Sequence, residues 1–221
     1  MVNSLLEETK IIPSINFDQH EILLDIMQLH CPLGFELDPT YSRGGFYRHA
    51  GIPRPKYCFD IIPLRPECEQ ADCRQLPLPD NSIRSAIFDP PFFATPQKSG
   101  KGGLMPQKYS YVEKMRDLHE LYEDCLRELS RVLAPQGILI FKCQDSVNGR
   151  SNWFTHVWVM NKAEEAGFWA IDLFVKLNKS APIPWNFVEQ HHARKMHSYF
   201  WVFKKRGRKK RPQLGGEVGK D

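Results

Sequence analysis

The sequence lacks the patterns that identify membrane-spanning and secreted proteins. Its 221 residues contain no apolar run near the roughly 20 residues that a membrane helix requires. The opening segment MVNSLLEETK has no charged region followed by an apolar one, as a secretory signal would. We therefore expect a cytoplasmic protein that has no membrane partner.

Metal and hydrolase motifs are also missing. None of the six cysteines forms a CxxC pair, and Cys68 and Cys73 are five residues apart with no second pair to match. We therefore expect no metal site, and we expect reduced, mostly buried thiols such as cytosolic proteins have. The GxSxG motif of a hydrolase nucleophile is absent as well.

Composition favours one soluble domain with an uneven distribution of charge. The chain is 42% hydrophobic and 25% charged, which is ordinary for a globular protein of this length. Residues 204–221 hold eight Lys and Arg against two acidic residues, so this segment carries +6 in a chain whose net charge is +4. We assign residues 1–203 to the folded domain and 204–221 to a basic, disordered tail. Such a tail suits nucleic-acid phosphates, although a merely solubilising tail is the alternative.

Hydrophobic periodicity predicts strands that alternate with helices. Apolar residues at helical spacing predict helices over 18–30, 111–133 and 153–167. Short apolar runs predict strands that end at Asp38 and Asp60, and others over 83–88, 138–143, 168–177 and 197–205. This alternation is typical of an α/β domain with a mostly parallel, Rossmann-like sheet.

Acidic residues follow successive strands of this predicted sheet. Asp38, Asp60 and Asp89 each stand at a strand end, and Asp72 lies in a loop beside them. One such carboxylate is commonly only a helix cap, but ligands of open α/β sheets bind beyond the carboxyl ends of the strands. Asp60 is placed as an acid that holds ribose hydroxyls, and the loop at Gly44 and Gly45 lets the backbone approach a ligand.

The stretch SAIFDPPFFAT, residues 85–95, predicts a pair of fixed hydrogen-bond acceptors. Pro90 and Pro91 have no N–H, and a proline pushes the residue before it to an extended conformation. The Asp89 carboxylate and the Pro90 carbonyl are then two acceptors without a nearby donor, which suits an amino group that gives up both hydrogens. Phe92 offers a face for a planar ring.

A nucleobase amine is the substrate that these acceptors favour. Its lone pair is delocalised into the ring, so aligning both N–H bonds on fixed acceptors favours a pyramidal, nucleophilic nitrogen. A base inside a duplex must be flipped out to reach such a pocket, unless it comes from a single strand. The simpler interpretation of the stretch is a strand that ends in a rigid turn.

The motif DPPF resembles the (D/N/S)PP(Y/F/W) motif of the S-adenosylmethionine-dependent amino-methyltransferases of adenine N6 and cytosine N4. The resemblance covers most of residues 14–204, and FELDPTYSRGG is similar to the first motif of that family. It implies a single-domain methyltransferase fold with a mostly parallel seven-stranded sheet and helices on both faces. It also implies S-adenosylmethionine as the cofactor and catalytic roles for Asp89, Pro90, Pro91 and Phe92.

The same resemblance implies a set of cofactor-binding residues in the first motif, after the second strand and before the catalytic strand. These are Asp38, Pro39, Thr40, Ser42, Gly44, Gly45, Asp60, Asp72 and Cys73. The first motif departs from the usual DPFxGxGT, because Thr40 replaces the aromatic residue and Ser42 replaces the first glycine.

No large target-recognition domain is visible, so contacts to nucleic acid fall to loops. The basic residues of these loops that could meet phosphates are Lys98, Lys101, Lys108, Arg150, Arg194 and Lys195. Trp153, Trp185 and Phe187 are available for stacking. Solvated loop charge and partly buried aromatic rings are the alternative for each of these residues.

The leading hypothesis is a DNA adenine-N6 methyltransferase, because an aspartate begins the motif and cytosine-N4 enzymes more often have serine there. The compact plan resembles phage-encoded and orphan bacterial enzymes, which implies the cytoplasm of a prokaryotic host. A cytosine-N4 DNA enzyme and an RNA adenine-N6 enzyme are the first alternatives. A catalytically silent nucleic-acid-binding scaffold on the same fold is the second, favoured mildly by the altered glycine loop.

Overall fold

The computed structural model describes residues 11–94, 112, 114–148, 151–179 and 190–207. Three α-helices occur in these ranges: α1 (Gln19–His30), α2 (Met115–Val132) and α3 (Thr155–Glu165). The strands are β1 (Ile15–Asn16), β2 (Leu37–Asp38), β3 (Tyr57–Asp60), β4 (Glu69–Gln70), β5 (Ile83–Phe88), β6 (Leu133–Cys143), β7 (Ser146–Asn148), β8 (Ser151–Trp153), β9 (Phe168–Leu177) and β10 (His197–Lys205).

Eight of these strands form one sheet in the order β1-β9-β10-β6-β5-β2-β3-β4, and β7 pairs with β8 in a separate hairpin. Every neighbouring pair in the sheet is parallel except β10, which runs antiparallel to both β6 and β9. The mostly parallel α/β sheet that the alternation of elements predicted is therefore present.

The expected number of seven strands is wrong for this sheet, because β1 adds an eighth at the edge. Ile15 and Asn16 lie parallel to Val175 and Lys176 of β9, and the Val175 N–H donates to the Ser14 carbonyl at 2.7 Å. A two-residue strand after Pro13 is too short to produce an alternating pattern, so sequence periodicity could not reveal it.

Helices cover both faces of the sheet because consecutive strand residues point to opposite sides. Ile87 and Ile140 pack with Ile22 and Ile26 of α1 in one buried cluster. Their neighbours Ala86, Phe88, Leu139 and Phe141 pack in a second cluster with α2 and α3. The central strands are thus buried on both faces, which explains their nearly continuous hydrophobicity.

The three helices and the long strands lie close to where the sequence placed them. Helix α1 begins after Asp18, whose carboxylate accepts the His20 N–H at 2.8 Å as an N-cap. Strand β6 begins at Leu133, before the strand predicted over 138–143, and its pairing with β5 shifts there from Ile83–Leu133 to Ser85–Ile138. Lys204 and Lys205, which were assigned to the tail, lie in β10, and residues 208–221 are outside the described part.

The order of the strands determines where a ligand can bind. From β2 the chain moves outward through β3 to β4, and then returns to β5 on the other side of β2 before continuing to β6. This reversal leaves a crevice between the carboxyl ends of β2 and β5, which is where open α/β sheets bind ligands. Asp38 ends β2, and Asp89 directly follows β5.

An ion pair between the buried Glu128 and the partly exposed Arg131 fixes the loop between β4 and β5 to α2. The Glu128 carboxylate accepts the Leu76 N–H at 2.6 Å and pairs with Arg131 at 2.7 Å. Arg131 also donates to the Leu76 and Leu78 carbonyls and to Asp80. These bonds hold the residues that follow Asp72 against the helix.

We expect Glu128→Ala to lower the free energy of unfolding by about 2–3 kcal/mol, because it leaves a buried N–H without an acceptor and removes one partner of Arg131. Urea unfolding measures this change. Glu120→Ala is the matched control, since Glu120 is 65% exposed and its pair with Arg116 is worth about 0.5 kcal/mol or less. Equal effects of the two substitutions would contradict the assigned role of Glu128.

Candidate active site

Thr40 connects the two strand ends that border the crevice. The Asp89 N–H donates to Thr40 Oγ1 at 2.9 Å. The Thr40 N–H donates to Asp38 Oδ1 at 2.9 Å, and Thr40 Oγ1 lies 3.3 Å from the same oxygen. The loop after β2 is therefore bonded directly to the loop after β5, and Asp38 and Asp89 are brought together as the sequence predicted.

Asp38 is buried, with 2% of its surface exposed. Burial raises the pKa of its carboxyl group to about 7, against hydrogen bonds from Tyr47 and Thr40 that lower it. Tyr47 Oη donates to Asp38 Oδ2 at 2.7 Å. Asp38 thus holds the loop after β2 through these hydrogen bonds. With this pKa, the carboxyl group is partly protonated near neutral pH.

Asp60 is equally buried and holds the same loop through backbone donors. The Ser42 N–H donates to Oδ2 at 2.9 Å, and the Ile62 N–H donates to Oδ1 at 3.0 Å. A carboxylate has about four lone-pair sites, so each of its oxygens can accept more than one hydrogen bond. Ser42, which replaces a glycine of the family motif, adopts a φ of 53°.

The two glycines of the first motif, Gly44 and Gly45, differ in their surroundings. Gly44 has a φ of 64°, and a Cβ there would lie 2.6 Å from Tyr41 Oη. A Cβ at Gly45 would meet no atom of the described residues within 4 Å. Gly44 is therefore required by the fold of the loop, whereas Gly45 borders open space. Pro39 is buried between Asp38 and Thr40.

Asp72 and Cys73, which are also predicted cofactor residues, have partners within the protein. Arg74 donates to both Asp72 oxygens, the shortest contact being 2.6 Å, and holds the pKa of that carboxyl below its usual value. Cys73 is buried, and its Sγ accepts from the Cys125 thiol of α2 at 3.1 Å. All six cysteines are buried free thiols.

The DPPF motif presents the acceptors that its sequence predicted. The Asp89 side chain is 27% exposed, while Pro90 and Pro91 are buried. Tyr122 Oη, from the buried side of α2, donates to the Pro91 carbonyl. Within the described residues no hydrogen bond goes to the Pro90 carbonyl, so this oxygen and the Asp89 carboxylate remain as acceptors.

Lys142 is the residue of the site that sequence analysis missed. It stands one residue before the end of β6, and its Nζ donates to Asp89 Oδ2 at 3.2 Å. Its side chain is only 10% exposed. The ring centroids of three aromatic residues lie 5.2–5.5 Å from Nζ: Phe46, Phe92 and Phe200. A single lysine in the apolar run ILIFKC was the available signal.

Lys142 determines the electrostatics of the motif. Burial raises the pKa of the Asp89 carboxyl, and the adjacent Lys142 ammonium opposes that rise. The three rings stabilise the cation through their electron-rich faces, where water is largely excluded. The ammonium also fixes one carboxylate oxygen, Oδ2.

Sequence analysis also missed Asp145, a buried carboxylate just beyond the end of β6. Asp145 accepts from His156 at both the backbone N–H (3.1 Å) and the ring Nδ1 (2.8 Å). Tyr199 Oη donates to its other oxygen at 3.4 Å and stacks on the His156 ring. This network joins the first turn of α3 to the sheet.

The predicted nucleic-acid contacts are only partly described. Lys98, Lys101, Lys108 and Arg150 lie outside the described residues, as do Trp185 and Phe187. Arg194 and Lys195 immediately precede β10, whose first residues pair with the end of β6. They therefore lie at the same edge of the sheet as Asp89. Lys195 Nζ is 5.5 Å from the centroid of the exposed Phe154 ring.

No helix of the described residues is long and apolar enough to cross a membrane. No cluster of three or more potential metal ligands occurs in the part of the chain that the structure describes.

Comparisons with solved structures give similar folds at low identity. A candidate sarcosine dimethylglycine methyltransferase from Galdieria sulphuraria has a TM-score of 0.52 at 13% identity, over 85% of each chain. A candidate DNA modification methylase from Thermus thermophilus, in complex with S-adenosyl-L-methionine, has a TM-score of 0.45 at 17% identity, over 65% of this chain and 56% of that one. The PvuII DNA methyltransferase, described as cytosine-N4-specific, has a TM-score of 0.42 at 19% identity, over 58% of this chain and 44% of that one.

The Galdieria protein supports the methyltransferase-like α/β fold, and this chain spans a little over half of the length of the Thermus methylase. No curated protein sequence matches the chain. The profile of the N6/N4 DNA methylase family matches residues 83–215, which include the DPPF motif. This match covers more than half of the chain. The chain therefore belongs to the N6/N4 DNA methylase family of S-adenosylmethionine-dependent amino-methyltransferases.

Proposed function

We propose that this chain transfers a methyl group from S-adenosylmethionine to the exocyclic amine of a nucleobase in DNA, with adenine N6 as the preferred target. The observation that carries the proposal is the pair of acceptors at the end of β5. The Asp89 carboxylate and the Pro90 carbonyl directly follow β5, whose carboxyl end borders the crevice, in a chain that belongs to a DNA methylase family.

Asp89 and Pro90 would act by holding the amine rather than by removing its proton first. Each acceptor takes one N–H of the amino group, which turns the nitrogen lone pair out of conjugation and toward the methyl donor. The acceptors are preorganised, since Thr40 fixes the Asp89 backbone and Tyr122 fixes the Pro91 carbonyl. The amine can lose its proton after the methyl group has been transferred.

The residues around the crevice fit the cofactor. When bound, it supplies an electrophilic methyl group on a positively charged sulfur. The Asp60 oxygens, which can each accept more than one hydrogen bond, suit ribose hydroxyls, and the open space at Gly45 admits a ligand against the backbone. Asp72 differs from Asp60 in that both of its oxygens accept from a charged guanidinium, that of Arg74, rather than from backbone N–H groups.

Lys142 is proposed as a positioning residue that keeps Asp89 ionised. A buried carboxyl without a cation would be protonated over a wider range of pH, and a protonated oxygen no longer accepts from the amine. The bond from Lys142 also orients the carboxylate plane. Phe92, whose ring lies 5.2 Å from Lys142 Nζ, would pack both the ammonium and the edge of the target base.

The aspartate that begins the motif supports adenine N6 over cytosine N4, by resemblance to the family. Both amines need the same two acceptors, so the geometry at Asp89 serves either base. DNA is proposed over RNA from the description of the family.

The first experiment is methyl transfer from labelled S-adenosylmethionine to duplex DNA, single-stranded DNA and RNA, followed by digestion to nucleosides. We expect label in N6-methyladenine from DNA. Asp89→Asn should reduce the turnover at least about 100-fold, because one of two preorganised acceptors becomes a neutral amide. Asp124→Asn, a half-exposed aspartate on α2, should keep the full rate.

Label in N4-methylcytosine would retain the mechanism and change the base, and label in RNA alone would overturn the choice of DNA. Transfer to none of the polymers, with cofactor binding intact, would favour the silent scaffold. An Asp89→Asn variant as active as the native chain would contradict the proposed role of the motif.

Lys142→Met should shift the acidic limb of the pH–rate profile to higher pH. Lys142 opposes the raised pKa of Asp89, so removing its charge raises that pKa further and requires a higher pH for ionisation. The rate at high pH should recover toward that of the native chain. Lys162→Met, at a surface pair on α3, is the control and should leave the profile unchanged. A uniform loss of rate at every pH would instead indicate a structural role.

Asp38→Asn should become progressively more stable than the native chain as the pH rises from about 4 to 7. With a pKa of about 7 in the folded state, Asp38 binds a proton more tightly folded than unfolded, so its ionisation costs stability as pH rises through this window. The difference between the two chains should grow by on the order of 1 kcal/mol per pH unit. Urea unfolding at several pH values measures it, and a difference that does not vary with pH would contradict the burial argument.

A further inference from the structure

A basic cleft adjoins the cofactor loop and shares Gly44 and Tyr47 with it. It is lined by four arginines, Arg43, Arg48, Arg54 and Arg65, which we call the arginine cleft. Tyr41, Gly44, Tyr47 and Glu67 complete its walls, and the cavity has a volume of about 390 Å³. None of these four arginines was singled out from the sequence as a contact to nucleic acid.

The cleft carries an excess of positive charge. Its one carboxylate, Glu67, accepts from Tyr41 Oη at 2.9 Å. None of the four guanidinium groups has a carboxylate within 4 Å among the residues that the structure describes. All four side chains are exposed. Arg65 Nε donates to the Arg43 carbonyl at 3.4 Å, which holds two sides of the cleft together.

Arginine rather than lysine at all four positions points to the chemistry of the ligand. A guanidinium presents five N–H donors in a planar fork that matches the oxygens of a phosphate. Four such groups around one cavity are more than a ligand with a single carboxylate would need. They suit the repeated charges of a phosphodiester backbone.

The position of the cleft connects it to the catalytic edge. Tyr47 lines the cleft and donates to Asp38, and Asp38 is joined through Thr40 to the Asp89 backbone. Tyr47 also stacks on Tyr41, with ring centroids 5.4 Å apart, which gives the cleft a rigid wall. A strand held here would be fixed relative to the DPPF motif.

We propose that the arginine cleft binds the phosphate backbone of the DNA substrate, next to the point where the target base enters the site. The proposal rests on the proposed function for its choice of DNA. The cleft positions the strand without reading its sequence, because contacts to phosphate carry no base information.

The test compares two variants that each remove two positive charges from the full chain. Arg43→Gln/Arg65→Gln alters the cleft. Arg116→Gln/Arg127→Gln alters exposed arginines on α2, on the far face of the sheet from α1. Binding of a fluorescent DNA duplex is measured by anisotropy at several salt concentrations, without methyl transfer, so failure of the catalytic proposal leaves this test intact.

The cleft variant should bind DNA about tenfold more weakly at low salt, and its plot of log affinity against log salt should be shallower by about 2. The α2 variant should match the native chain in both. Equal behaviour of the two variants would overturn the proposal. So would a cleft variant that loses affinity for S-adenosylmethionine while keeping its affinity for DNA, because the arginines would then serve the cofactor.

Discussion

The hydrogen bond from the Asp89 N–H to Thr40 Oγ1 is the contact on which the geometry of the site depends. It spans the crevice where the chain reverses direction in the sheet, and it joins the loop that would hold a cofactor to the loop that would hold a base. Methyl transfer requires the two reactants to be aligned within fractions of an ångström. One short side chain, itself bonded to the buried Asp38, provides that alignment between two segments 49 residues apart.

The charges around this contact are balanced by hydrogen-bond donors and by one ion pair. Backbone N–H groups satisfy Asp60, hydroxyl and amide donors satisfy Asp38, and one ammonium in an aromatic surround serves Asp89. Each solution costs less than an unpaired buried carboxylate would. The three acids therefore differ in the kind of partner that holds them, although the sequence presents them as equivalents.

The sequence was sufficient for features that depend on neighbouring residues. Apolar runs that end in an acidic residue predicted β2, β3 and β5, because a parallel strand that is buried on both faces consists of consecutive apolar residues. The DPP backbone was equally readable, since proline restricts its own segment. Lys142 was not readable, because its role arises only when β6 is set beside β5 with Phe88 opposite Phe141. Thr40 was expected to contact the cofactor, and no pattern could show that its hydroxyl accepts from the Asp89 N–H.

The hydrogen bond from Tyr122 Oη to the Pro91 carbonyl connects α2 to the DPPF motif. Tyr122 stands on α2, 31 residues after Pro91, and it holds the end of the motif against a helix of the core. The entropic cost of closing a chain segment grows only slowly with its length. A change in the number of residues between Pro91 and Tyr122 therefore need not displace Asp89, because the bond that fixes the motif comes from the core.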